Sequence, residues 1–115
     1  MKATIYHNPR CSKSRQTLAL LEDNNIEPEI IEYLKTPPNK NTLKQLLKKL
    51  EISAAELLRK KESVFKELDL GEHLDNENKL LDEMIANPVL IERPIVVIND
   101  KAVIGRPPEN ILDII

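Results

Sequence analysis

Cys11 is the only cysteine among 115 residues, and it lies in the stretch Thr4-Ile5-Tyr6-His7-Asn8-Pro9-Arg10-Cys11-Ser12-Lys13-Ser14-Arg15. A thiol becomes a nucleophile only as its thiolate. Nearby cations and the unpaired N–H groups at a helix start stabilise that form and can bring its pKa from about 8.5 into a range of roughly 3.5 to 7.5. Arg10, Lys13 and Arg15 offer positive charge here, with His7, four residues upstream, as a further candidate. The opposing reading is a small buried hydrophobe, which describes many lone cysteines. The polar and cationic neighbours of Cys11 argue against it and for a reactive thiol.

Five arginines occur in the chain; Arg10 and Arg15 flank Cys11, and the other three are Arg59, Arg93 and Arg106. Arg93 and Arg106 each precede a proline at an element boundary, where a fixed backbone can aim a side chain. Planar guanidinium groups pair bidentately with tetrahedral oxyanions, so arginines gathered on a thiolate would hold an oxyanion with a thiophilic centre. Ordinary surface cations are the other reading of all three, and spacing alone leaves both open. A zinc site lacks ligands: there are two histidines and one cysteine, with no C-x-x-C or H-x-x-x-H spacing. His73 reads as a solvent-exposed loop residue, and Asp75, Glu77, Asp82 and Glu83 as the polar face of a helix. With Gly71 and Gly105 the only glycines, no Gly-rich phosphate loop can form.

The elements that must position Cys11 follow from periodicity. Lys2–Tyr6 reads as a strand broken by Asn8-Pro9, and Ser12 opens a helix that carries Leu18, Ala19, Leu20 and Leu21 and ends near Asn24-Asn25. Glu29–Tyr33 is a second strand. Strand, helix and strand make a βαβ unit with a parallel pair, at whose carboxyl ends ligands collect and where Cys11 lies. Past Lys35-Thr36-Pro37-Pro38, residues 36–88 read as an inserted helical block. Leu43, Leu46, Leu47 and Leu50 fall at helical spacing. Ser53-Ala54-Ala55-Glu56 matches a capping box, and a further helix spans about Asp75–Ala86. Lys60–Glu67 reads as a charged turn or loop. Pro94–Ile98 is a β-branched strand of the kind buried on both faces. Asn99-Asp100 is a hairpin turn, Ala102–Ile104 the returning strand, and Glu109–Ile115 a last helix with Ile111, Leu112 and Ile115 facing in. The predicted fold is α/β: a thioredoxin-like, small mixed four-stranded sheet in the order β-α-β, helical block, β-β-α, within a single domain over residues 1–115.

Composition excludes several roles. The formal net charge of -2, from 17 basic and 19 acidic residues, offers no general attraction to nucleic acid or to an acidic membrane. Met1–Tyr6 is too short for the apolar core of a signal peptide, and no stretch approaches the ~20 apolar residues of a membrane span. A lone cysteine builds no disulfide framework, so a reducing cytoplasm is the expected compartment.

The chain resembles the ArsC-type arsenate reductases, the glutaredoxin-linked class on the thioredoxin-like fold, and a close branch of arsenate reductase-like proteins. The matching pieces are I-Y-H-N-P-R-C at 5–11, Ser14-Arg15, Y-L-K-T-P-P at 33–38, L-L-R-K at 57–60, E-R-P-I-V-V at 92–97 and G-R-P-P-E at 105–109. The resemblance implies Cys11 as nucleophile, Arg59, Arg93 and Arg106 as oxyanion-binding residues, and His7 and Ser14 as supports of the thiolate. It implies arsenate as substrate, no bound cofactor or metal, glutathione as co-substrate and glutaredoxin as partner. It also implies a cis bond between Arg93 and Pro94. The chain departs from the best-studied members directly after the nucleophile, with Ser12-Lys13 in place of Gly-Thr. A related alternative is a thiol-dependent redox protein with another substrate. Another is a regulator like the RNA polymerase-binding Spx proteins, which commonly close a C-x-x-C switch; here Ser14 occupies the second position. A non-catalytic anion-binding module, for which Cys11 would be dispensable, is a third.

Overall fold

Ile95–Ile98 becomes a central strand in the structure, a computed structural model that describes residues 2–115. Strands pair with it on both edges, and Ile95, Val96 and Ile98, whose side chains alternate between the two faces of the sheet, are buried. Four strands, β1 (Ala3–His7), β2 (Glu29–Glu32), β3 (Ile95–Ile98) and β4 (Lys101–Ile104), pair in the order β2-β1-β3-β4. β1 runs parallel to β2, with Thr4 opposite Glu29 and His7 opposite Glu32. It runs antiparallel to β3, with Ile5 opposite Val96. The β3–β4 hairpin turns at Asn99, whose φ of 55° is the left-handed conformation that asparagine tolerates. The mixed α/β sheet expected from the sequence is therefore present.

The chain divides into two compact units, one made of the chain up to Thr36 with Arg93–Ile115, the other of Pro37–Glu92. In the first, Ala3, Ile5, Val96 and Ile98 of the sheet pack with Leu21, Ile26 and Ile111 into one buried cluster, with Leu18, Leu20, Val103 and Ile114 against it. Helix α1 (Ser12–Asp23) buries a stripe of Ser14, Thr17 and Leu21, the i, i+3, i+7 spacing of one helical face. The last segment departs from the expected α-helix. Pro108–Asp113 is a 3₁₀ helix, and three residues per turn bring Pro108, Ile111 and Ile114 to one side. Leu112 and Ile115, expected inside, are 50% and 44% exposed.

The second unit is held by leucines. Helix α2 (Lys40–Leu50) buries Leu43, Leu46 and Leu47 and is capped by the Asn39 side chain, which accepts from Thr42 N. Helix α3 (Ala54–Leu57) opens with the expected Ser53–Glu56 capping box. Within the stretch expected as a loop lies a short helix, α4 (Ser63–Glu67), with Phe65 close to the backbone of Gly71. Helix α5 (Glu77–Ala86) buries Leu80, Leu81 and Met84. This unit extends past residue 88 because Pro88–Leu90 forms a 3₁₀ turn and Ile91 bridges to Leu58. Among the described residues no helix is long and apolar enough to cross a membrane.

Candidate active site

Asn8, Pro9 and Arg10 carry the chain from β1 to Cys11, and hydrogen bonds fix their course from several sides. Asn8 N donates to Ser14 Oγ (3.0 Å), Arg10 N to Asn8 Oδ1 (3.0 Å) and Cys11 N to Asn8 O (3.0 Å). The Arg15 guanidinium donates to Pro9 O at 2.9 Å. Cys11 thereby becomes the N-cap residue of α1, with extended backbone angles (φ -94°, ψ 123°) and only 8% exposure. A cap position normally carries Ser, Thr, Asp or Asn, whose oxygen accepts from the second or third N–H of the helix. Cys11 makes no ordinary side-chain capping bond. The N–H groups of Lys13 and Ser14, the second and third helical residues, instead favour its thiolate.

Two opposing influences act on that thiol. Burial pushes its pKa up. A hydrogen bond from the Arg93 side chain, the backbone N–H groups of Ser14 and Lys13, and the Arg93 charge pull it down, and the net shift is downward. Arg106 adds a donor, with Nη2 3.5 Å from Cys11 Sγ, while its Nε donates to Arg93 O at 2.8 Å. One arginine thus anchors on the backbone of the other while both address the sulfur. Of the cations the sequence offered, the distant Arg93 and Arg106, from the two ends of the β3–β4 hairpin, are the ones that address Cys11, and no such contact is made by the flanking Arg15. Arg15 is turned to Pro9 O.

His7 lies 6% exposed at the end of β1, with Nδ1 2.7 Å from Ser14 Oγ. Burial lowers its pKa, Glu32 opposes and Arg15 reinforces the shift, and the net direction is down. His7 is accordingly neutral at pH 7, and the suggestion that it adds positive charge is corrected. Its contact is with Ser14, whose hydroxyl ties the end of β1 to the first turn of α1. Cys11, His7, Ser14, Arg93 and Arg106 all belong to the sheet unit. Arg59 belongs to the helical unit, where its Nε meets Glu62 Oε2 at 3.1 Å and its Nη1 meets Glu92 Oε1 at 2.7 Å. The Arg93–Pro94 bond is cis, as expected, and Arg106–Pro107 is cis as well. Among the described residues no group of three or more His, Cys, Asp and Glu is placed to hold a metal.

Thr17 and Gly105 were not singled out by sequence reasoning. Thr17 Oγ1 donates to Lys13 O at 2.7 Å and lies 3.3 Å from Gly105 O. A Cβ on Gly105 would stand 2.5 Å from Thr17 Oγ1 and 2.9 Å from Pro94 Cγ. Only glycine lets the end of β4 approach α1 this closely, directly before Arg106. The stripe Ser14, Thr17, Leu21 carried a signal for Thr17, since it continues the inward face through a polar residue.

The model of the ArsC family matches residues 6–114. The chain is 56% identical to the uncharacterized protein YfgD of Escherichia coli strain K12, over 96% of this chain and 94% of that one. It is 49% identical to the arsenate reductase of Neisseria meningitidis serogroup B strain MC58, over 93% and 92% of the two chains. The solved structure of arsenate reductase from Vibrio cholerae superposes with a TM-score of 0.97 at 48% identity, covering 100% of this chain and 98% of that one.

Proposed function

This chain belongs to the ArsC family, and on that premise we propose that it is an arsenate reductase in which Cys11 is the nucleophile. The observation that carries the reading is the surroundings of Cys11. A thiol at the N-cap of α1 has its ionised form favoured by two helix N–H groups and by Arg93, with an Arg106 nitrogen 3.5 Å from the sulfur. The thiolate attacks arsenic, an arsenic–oxygen bond breaks and the oxygen leaves as water. Arg93 and Arg106 hold the negative charge of the remaining oxygens, and the family resemblance gives Arg59 the same task. His7 and Ser14 keep the loop and the first turn of α1 in register with the nucleophile.

Reduction of arsenate to arsenite needs two electrons, and a chain with one cysteine cannot supply them by closing its own disulfide. External thiols therefore complete the cycle: glutathione attacks the enzyme-bound arsenic and a second arsenic-bound oxygen leaves as water. The glutaredoxin thiolate attacks the glutathione sulfur and takes the glutathionyl group as a mixed disulfide, with the sulfur–arsenic electron pair left on arsenic, and water then cleaves the Cys11–arsenic bond. Arsenic gains the two electrons that the two thiols lose, arsenite is released and Cys11 returns as a thiol. No prosthetic group or metal takes part in this scheme. Return of a free thiol each cycle fits a reducing cytoplasm.

The test is arsenate-dependent NADPH oxidation coupled through glutathione reductase, glutathione and glutaredoxin. Wild-type protein is expected to sustain turnover and Cys11→Ser to abolish it. Equal rates in the two would remove Cys11 from the reaction, and no arsenate-dependent rate in wild type would overturn arsenate as substrate.

A further inference from the structure

Beside the Cys11 loop, and separate from the arginines on its sulfur, lies a groove of about 270 Å³ whose walls include His7, Asn8, Pro9, Arg10, Glu32, Leu34 and Lys35. One wall is the Asn8–Arg10 loop that leads directly into Cys11, and the other is the end of β2 and the turn after it. The pairing of β1 with β2 brings the walls together, since His7 stands opposite Glu32. The groove carries two cations, Arg10 and Lys35, one carboxylate, Glu32, and an apolar floor from Pro9 and the 43%-exposed Leu34.

This charge pattern is complementary to a particular chemistry. A small thiol peptide bearing two carboxylates and one α-ammonium presents two negative charges and one positive charge on a short, partly apolar frame. Lys35 Nζ and Glu32 Oε1 are 3.5 Å apart, with side chains 78% and 42% exposed. A pair so exposed is held weakly and can exchange its partners, Glu32 for a ligand ammonium and Lys35 for a ligand carboxylate. Arg10, whose backbone N–H is fixed on Asn8 Oδ1, is next to the nucleophile in the chain.

We propose that this groove seats the small thiol co-substrate, with Arg10 and Lys35 receiving its carboxylates and Glu32 its ammonium, so that its sulfur is delivered at the Cys11 loop. The assignment rests on the reading of the chain as a reductase dependent on an external thiol. It divides the work between the arginines at the sulfur, which hold the oxyanion, and the groove, which holds the reductant.

S-Methylglutathione, which cannot donate electrons, is the probe, titrated into ¹⁵N-labelled wild-type protein. Saturable amide shifts are expected at His7, Arg10, Leu34 and Lys35. Arg10→Glu and Lys35→Glu are each expected to weaken the Kd about tenfold, the scale of one charge-assisted hydrogen bond. S-Methylcysteamine, which lacks the carboxylates, should give no saturable shifts. In the coupled assay the same variants should raise the KM for glutathione, and a rise confined to the KM for arsenate would assign Arg10 to the oxyanion and overturn the proposal. Shifts that map elsewhere, or a Kd indifferent to both charge reversals, would also overturn it. Binding of an inert analogue does not depend on arsenate chemistry. A failed groove with an active enzyme is thus distinguishable from an occupied groove in a protein that does not reduce arsenate.

Discussion

At the residue scale the behaviour of Cys11 depends on which of two effects wins. Burial favours the neutral thiol, while Arg93 and the N–H groups of Ser14 and Lys13 favour the anion, and the anion gains. Reaction with iodoacetamide should therefore follow a titration with its midpoint below that of a free thiol, about 8.5, and fall away as pH drops through that midpoint. Arg93→Ala removes both a hydrogen bond and a charge, so the midpoint should rise. An unmoved midpoint would show that the helix end alone sets the thiol. By linkage, the depressed pKa also stabilises the fold, in full above about pH 8.5 and lost as pH falls through the folded-state value. The place of Cys11 at the N-cap of α1 was legible, because it needs only a strand, a breaker and a helical pattern. Arg93 was legible as a candidate from its place before Pro94 and from the family resemblance, but spacing alone did not bring it to Cys11, because Arg93 reaches the sulfur through sheet pairing rather than along the chain. The arginines make a second prediction. Losing a desolvated charge partner costs roughly 2 to 5 kcal/mol, so Arg93→Ala should lower kcat/KM for arsenate about 30-fold or more, and Arg106→Ala, whose side chain is more exposed, should lower it by less. Lysine at either position keeps the charge but not the planar fork, and should restore activity only in part. Near wild-type kinetics in both alanine variants would return these residues to ordinary cations.

At the scale of elements, β3 and α2 were legible because their residue patterns match their burial, whereas β2 was legible from its composition although Ile30 is 50% exposed. β3 is a β-branched run buried on both faces, and α2 repeats leucine at helical spacing. The final segment was expected as an α-helix because Ile111, Leu112 and Ile115 fall on one face at the i, i+1, i+4 spacing of that helix. Pro108 and Ile111 are buried instead on the three-residue repeat of a 3₁₀ helix. The close contact of α1 with the end of β4 was hidden for another reason. A glycine signals permissiveness in sequence, and only the neighbours of Gly105 reveal that its missing side chain is required. Gly105→Ala must push Thr17 and Pro94 apart, overpacking of a kind that typically costs 1 to 3 kcal/mol. The strain falls next to Arg106, so the variant should lose urea stability by about that amount and also raise the KM for arsenate. Thr17→Ser trims a methyl group while keeping the hydroxyl, and combined with Gly105→Ala it should recover part of both losses. A Gly105→Ala protein with unchanged stability and KM would show that β4 and α1 can part without consequence.

For the molecule as a whole, the sheet unit contains the thiol, Arg93 and Arg106, and the inserted unit contains Arg59 in its own network with Glu62 and Glu92. The order of elements announced this insertion, since helical periodicity replaces strand periodicity at Pro37-Pro38 and gives way again at Pro94. Neither unit holds a second cysteine, and this fixes how the catalytic cycle must close. Thiol–disulfide exchange needs an attacking thiolate, and Ser14, in the position a resolving cysteine would take in a C-x-x-C pair, has a hydroxyl already joined to His7 and Asn8 N. After Cys11 has taken arsenic, nothing within the chain can displace it. Mixing reduced protein with excess arsenate and no added thiol should therefore form at most one adduct per chain and release no arsenite. Rapid-quench sampling with mass spectrometry would detect the adduct at Cys11. Adding glutathione and glutaredoxin should then start continuous arsenite formation at a rate that depends on both. Multiple turnovers without any added thiol would mean that electrons reach arsenic by a route independent of thiol exchange, and the proposed cycle would be wrong at its second step rather than its first.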